Sequence, residues 1–252
     1  MSRPSRRHFL LRAGAVVGAT LVLPGAAFAL GDVSQVDVVE LQLPKGTLSR
    51  PGAWRTMLYE VSRSTSVVTQ PDQVVQSSPG DLALFEHPFA VLTGDGAFDP
   101  LPETELEQLK RYLTYGGFLY IDDTTGVEDS EFSRSVRRLL KRMFPTRPLQ
   151  QLERSHSLYR AFFLIDRPVG RVLGPGYLEG IKLGSIFPVV FGQIDLSGAL
   201  ERTESGQSLR PVPERQRREA VKLAVNLVLY ALTSNYKQDQ AHVKQLLEDN
   251  RL

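Results

Sequence analysis

Apolar and polar residues follow two different periods along this chain, and the places where one period gives way to the other predict the elements. Val36 to Leu43 alternates with a period of two, which predicts a strand with one buried face, closed by Pro44-Lys45-Gly46. After Pro51-Gly52, the residues Trp54, Met57, Leu58 and Val61 recur at helical spacing, so a helix is expected from about Ala53 to Arg63. Ser64 to Gly80 is polar and predicts a connection with one short strand near Val74. Phe89 to Thr93 is a brief apolar run closed by Gly94-Asp95-Gly96, the pattern of a buried strand and a tight turn. Leu106, Leu109 and Leu113 mark a helix entered through Pro102, with Glu103, Glu105 and Glu107 near its positive end and Gly116-Gly117 as a left-handed stop.

Phe118 to Ile121 predicts the next strand, and Asp122 to Gly126 the loop at its C-terminal end. Phe132, Val136, Leu139, Leu140 and Met143 form the apolar face of a helix capped by Asp129 or Ser130 and stopped by Pro145. Its other face carries five basic residues from Arg134 to Arg142 and reads as a solvated surface. Tyr177 to Leu183 and Ile186 to Phe191 predict two strands separated by Gly184. Val221, Ala224, Val225, Val228 and Leu232 stripe a helix from Glu214 to Thr233, and Val243, Leu246 and Leu247 predict a shorter amphipathic helix after it. Strands that alternate with helices imply an α/β fold with a mostly parallel sheet, helices on both faces and a C-terminal helical extension.

The first 29 residues follow neither period. Ser5-Arg6-Arg7-His8-Phe9-Leu10 precedes the uncharged segment Ala13 to Leu23 and an Ala27-Phe28-Ala29 cleavage signature. This is the pattern of a twin-arginine signal peptide, which is handled by the twin-arginine translocase and delivers folded protein to the periplasm or beyond. The expected organisation is a signal over residues 1–29, an α/β domain over 30–233 and an amphipathic helix over 234–252. Beyond Leu30 no apolar run approaches the ~20 residues of a membrane span.

Charge changes the picture only when the signal is set aside. Four of the 30 basic residues, Arg3, Arg6, Arg7 and Arg12, lie in it, leaving 26 against 28 acids in the rest of the chain. That balance argues against general affinity for nucleic acid. The chain has no cysteine, so disulfides, thiolate metal sites and cysteine nucleophiles are excluded. Gly-x-Gly-x-x-Gly, P-loop, Gly-x-Ser-x-Gly and His-Glu-x-x-His signatures are missing as well.

Candidate chemistry gathers where the strands end, because open α/β sheets bind ligands beyond the C-terminal ends of their strands. Asp122 and Asp123 follow one predicted strand and Asp195 another, while His156, in Ser155-His156-Ser157, could reach the same edge from a loop. Together they could hold a divalent metal through carboxylate and imidazole ligands, or one carboxylate could orient His156 as a general base. The alternative for Asp122 and Asp123, before Thr124-Thr125-Gly126, is a turn in which short polar side chains satisfy backbone amides. Asp95 between glycines reads as a turn residue, and His87 before Pro88 as ordering the entry to a strand.

Phe85-Glu86-His87-Pro88-Phe89, Tyr112-Leu113 with Gly116-Gly117-Phe118-Leu119, Phe144-Pro145, Ser155-His156-Ser157-Leu158-Tyr159 and Val225-Asn226 with Tyr230-Ala231-Leu232 occur in one order and spacing. The set resembles the bacterial family called domain of unknown function 4159, which is related to class I glutamine amidotransferase-like folds. The resemblance implies a flavodoxin-like three-layer α/β sandwich and a biochemical role that is uncharacterised. Amidotransferases of that fold use a cysteine on a sharp strand-to-helix turn; where such a turn is expected here, after Ile121, stand Asp122 and Asp123. The expected role is therefore a non-catalytic ligand-binding or accessory protein of the cell envelope, with a protein partner there. The alternative is a metal-dependent or acid–base hydrolase acting on a sugar or envelope component.

Overall fold

In the computed structural model of the chain, residues 36–248 are described, with side chains described to residue 234. The expected signal, residues 1–29, lies outside them. Strands β1 (Val36–Leu41), β2 (Thr69–Ser77), β3 (Phe89–Gly94), β4 (Phe118–Asp123), β5 (Gln150–Gln151), β6 (Glu179–Leu183) and β7 (Ile186–Gly192) make one sheet in the order β2-β1-β3-β4-β7-β6-β5. The first five in that order run parallel, whereas β6 turns back against β7 and β5 pairs antiparallel to β6. Gly184, at φ +59°, makes the turn between β6 and β7.

Helices α1 (Pro51–Ser64), α2 (Glu103–Thr114), α3 (Glu131–Met143), α4 (Leu196–Leu200) and α5 (Glu214–Glu248) cover both faces of the sheet. Strand residues separate by parity. Phe89, Val91, Phe118, Tyr120 and Val190 pack with Trp54 and Leu58 of α1, Leu196 of α4 and Leu223 and Leu227 of α5. Ala90, Leu92, Leu119, Ile121 and Val189 pack with Leu106 and Leu109 of α2 and Phe132 and Val136 of α3. Strands buried on both faces therefore read as continuous apolar runs, and the result is the expected three-layer α/β fold, consistent with a flavodoxin-like sandwich.

Several elements differ from the sequence reading: β5 was not expected, β4 runs on through Asp122 and Asp123, and β2, α5 and α4 depart further. β2 is a full nine-residue strand at the sheet edge, where half-exposed positions leave its polar residues no reason to follow a period. α5 runs unbroken to Glu248, because no glycine or proline interrupts Ser234 to Glu248. α4 was not expected; all five of its residues are buried, so no polar face marks it in the sequence.

Asn226, fully buried on α5, holds the connection that follows β5. Its side-chain oxygen accepts from Phe162 N (3.2 Å) and Phe163 N (2.8 Å), and its amide nitrogen donates to the carbonyls of Leu158 and Phe163, both at 2.8 Å. Replacing Asn226 by Ala strands these backbone groups and is expected to cost at least about 2 kcal/mol of unfolding free energy in urea titration. An unchanged midpoint would show that the clamp is dispensable.

Candidate functional site

Asp122 and Asp123 are neighbours in the chain and both are fully buried, yet the pleat of β4 sends them to opposite faces of the sheet. Asp122 accepts from the first amides of α4, Leu196 N at 2.9 Å and Ser197 N at 2.8 Å, one on each oxygen. Asp123 turns toward α3, where it accepts from Thr125 N (2.9 Å), Thr125 Oγ1 (2.7 Å) and the hydroxyl of Ser130. Ser130 in turn caps α3 through Ser133 N at 2.8 Å. Two helix N-termini are thus satisfied by one strand end.

Asp195, also fully buried, follows β7 in a left-handed conformation at φ +52°, ψ +57° and is the N-cap of α4. It is the only non-glycine residue with positive φ among the described residues, an uncommon backbone for an L-residue that aspartate tolerates better than most. Its carboxylate accepts from Gly198 N at 3.0 Å and from the guanidinium groups of Arg50 and Arg171. Gly198 has no side chain for a steric reason: a Cβ there would lie 2.1 Å from the Asp195 carboxylate.

Arg50 links this point to β1. Its Nη1 also donates to Ser197 Oγ (3.0 Å), and its backbone N–H donates to Glu40 Oε1 (2.7 Å) in the middle of the sheet. Ser49 Oγ donates to the other Glu40 oxygen at 2.9 Å, so a buried glutamate orders the entry to α1, which has no side-chain cap of its own at Arg50. Sequence reasoning did not pick out Glu40, Arg50 or Arg171. Glu40 takes an ordinary polar place in the alternation of β1 and gives no signal of burial, while Arg50 and Asp195 are 145 residues apart and carry no local one.

The structure does not bring His156 to the aspartates, contrary to the sequence expectation. Its ring packs on Phe187 (centroids 4.9 Å apart) and Tyr230 (5.3 Å), at the start of β7. Asp122 pairs with Gly192 at the other end of that strand, and five residues of strand span about 16 Å. His156 Nδ1 accepts from Leu158 N (3.2 Å) as the cap of a short 3₁₀ turn. Burial, with Lys182 and Arg160 nearby, holds its pKa below the usual imidazole value. Asp95 is exposed in the turn after β3, and His87 pairs through Nδ1 with Asp37 at 2.8 Å beside the entry to β3.

This donor set does not fit a divalent metal. Every oxygen of Asp122, Asp123 and Asp195 already faces an amide, hydroxyl or guanidinium donor, and a second cation beside Arg50 and Arg171 would be repelled. Among the described residues no three or more His, Asp or Glu side chains converge as a metal-holding group. Burial and then the charge of Asp195 push the Asp122 carboxyl up to about 6, against hydrogen bonds from Ser197 and Leu196 that pull it down. Asp122 and Asp195 are therefore parts of a closed polar core, with no lone pair turned to solvent chemistry.

The usual ligand crevices of the sheet are closed too. The strand order reverses between β1 and β3, where Gly46, at φ +78°, lies against Gly96 and Ala97 so tightly that a Cβ would come within 2.7 Å of both carbonyls. Over β7, a loop across residues 166–176 is pinned by Arg171 N to Asp195 O (3.0 Å), Val172 N to Ile194 O (3.2 Å) and Gln216 Nε2 to Gly170 O (2.6 Å). Gly174 permits that approach, since a Cβ would sit 1.8 Å from Gln193 O. A cavity of ≈ 710 Å³ lies open outside this loop, between it and the first turns of α5, lined by Val172 and Ile194 and by Arg167 and Arg215.

The family described as Domain of unknown function (DUF4159) matches residues 38–232. The chain belongs to that family, as the spacing of its motifs suggested. No curated protein matches the chain.

Folding raises the Asp122 pKa above its ordinary 3.8, so the folded state holds this proton more tightly than the unfolded one. The contribution to stability is full below the unfolded value and is lost as pH rises toward about 6. Measured against Asp122→Asn, which cannot titrate, the native chain is expected to lose unfolding free energy between about pH 4 and pH 7. Urea midpoints of both proteins across that range read the difference; a constant offset would contradict it.

Proposed function

We propose that this member of the DUF4159 family is a non-catalytic ligand-binding or accessory protein of the cell envelope, exported by the twin-arginine translocase as a folded domain that begins near Leu30. The observation that carries the reading is the saturation of the strand-edge acids: Asp122, Asp123 and Asp195 are wholly occupied in capping α4 and α3 and in pairing Arg50 and Arg171. An acid–base or metal-assisted hydrolase needs a carboxylate or imidazole that can reach a substrate or hold an ion. Asp123 and His156 lie on different elements, each bound to its own turn, so that reading gains nothing from the geometry.

The turn at Asp195 supports reading the chain as a relative of amidotransferase-like scaffolds. A sharp strand–turn–helix with left-handed backbone is the arrangement that exposes a nucleophile at an elbow. Here it falls after β7, not after β4 as the sequence suggested, and holds a buried, ion-paired aspartate. The reading is of a scaffold that kept the turn and exchanged the nucleophile for a structural acid. Its open cavity beyond β7 is the place for a ligand, and Arg6-Arg7 with the apolar segment after them supports export.

Cell fractionation of a tagged chain, with and without Arg6→Lys and Arg7→Lys, tests the location: the native chain is expected in the periplasmic fraction and the variant in the cytoplasm. Chromogenic ester, amide and glycoside substrates test the chemistry, and turnover at the buffer rate is expected. Hydrolysis that Asp123→Asn or His156→Asn abolishes without loss of folding would overturn the non-catalytic reading.

A further inference from the structure

The cavity outside the 166–176 loop has a composition unlike the closed core beside it. Arg167 and Arg215 both border it, both are exposed, and neither makes a hydrogen bond or ion pair with any described residue. On α5 with Arg215, Lys222 and Glu219 neutralise each other at 2.7 Å, which leaves two unpaired guanidinium groups and one acid, Asp166, among the lining residues. The local balance is one positive charge in excess, in a chain whose acids and bases otherwise nearly cancel.

Beside Gln216, several of the remaining lining residues are apolar. Val169, Val172 and Ile194 form the interior, and Leu164 and Leu173 stand at the rim with 80% and 85% of their surfaces exposed. Both place aliphatic surface where a ligand in the cavity could cover it. The middle of the loop is held before anything binds by backbone bonds to Ile194 and Asp195, the Arg171–Asp195 pair and Gln216. A preformed site loses little ordering entropy on binding. A volume of ≈ 710 Å³ also falls in the ~300–1,000 Å³ range of small-molecule sites.

From this combination we infer that the cavity binds a single amphiphilic monoanion, an acyl-type chain lying on Val172, Ile194, Leu164 and Leu173 with its acidic head between Arg167 and Arg215. Planar guanidinium groups suit a carboxylate or phosphate oxygen pair, and Asp166 limits the head to one negative charge. The inference rests on the ligand-binding reading above and gives it a ligand class.

Titration calorimetry of the full chain with octanoate, decanoate and dodecanoate below their micellar concentrations tests it. Saturable one-to-one binding is expected, tightening by up to about fourfold for each added methylene. Arg167→Ala with Arg215→Ala is expected to weaken decanoate at least about tenfold, and Leu164→Ser with Leu173→Ser to flatten the dependence on chain length, with the melting temperature unchanged in both. Decanol binding as tightly as decanoate, indifference to the paired arginine substitutions, or no saturable binding would overturn the inference. So would co-sedimentation with phosphatidylglycerol vesicles without binding of monomeric decanoate, which would make the patch a membrane-docking surface. Acetate binding as tightly as decanoate would overturn the ligand class and leave a binding domain standing. Hydrolysis of a bound decanoate ester would do the reverse, sinking the non-catalytic reading while keeping the amphiphile.

Discussion

Burying a carboxylate in the middle of a protein is tolerable only when its charge and its oxygens are answered there, and at Asp195 three separate parts of the chain supply the answer. Arg50 comes from the entry to α1, Arg171 from the loop over β7, and Gly198 N from the helix that Asp195 itself begins. Each partner is buried or pinned for its own reasons: Arg50 through Glu40 and Ser197, Arg171 through backbone bonds to the strand end. Loss of Arg50 would leave the buried carboxylate with Arg171, the more exposed of its two guanidinium partners, as its remaining ion pair. The left-handed backbone at Asp195 persists because these contacts determine it from several sides at once.

That network explains what occupies the acids at the strand ends. A strand alternates its side chains, so two adjacent aspartates cannot share a ligand on one face of the sheet; Asp122 serves α4 and Asp123 serves α3. The acids are spent on helix ends and Gly46 packs against Ala97 at the switch point, while an open cavity lies at the rim between the 166–176 loop and α5. The same arginine–aspartate contact that closes the core thereby shapes the wall of the open cavity. At Arg171 the side chain pairs with Asp195 while nearby Val169 and Val172 line the outer space.

Elements buried on both faces were the most legible in the sequence. Phe89 to Thr93, Phe118 to Ile121 and Ile186 to Phe191 stand out as apolar runs, and α2 and α3 carry both their stripe and their end signals. β2 was reduced to a short piece near Val74 because an edge strand is half-solvated and obeys no strict period. The five buried residues of α4 offered no amphipathic contrast, and the junction of the last two predicted helices is a continuous run in α5. At the site, residue type was a good guide to where acids collect and a poor guide to what they face. Nothing local ties Arg50 to Asp195 across 145 residues, and nothing local places His156 at the far end of β7. Contacts between distant parts of the chain decide those roles.

The account stands most directly on the coupling between Arg50 and Asp195. A double-mutant cycle of Arg50→Met and Asp195→Asn, followed by equilibrium urea unfolding, isolates it from the separate effects of each substitution. The account predicts that each single change is strongly destabilising and that the pair is less so than their sum, with a coupling energy on the order of 1–3 kcal/mol. Additive effects, with coupling near zero, would mean that the buried acid does not depend on its arginine and would contradict the claim that this strand edge is occupied in holding the fold.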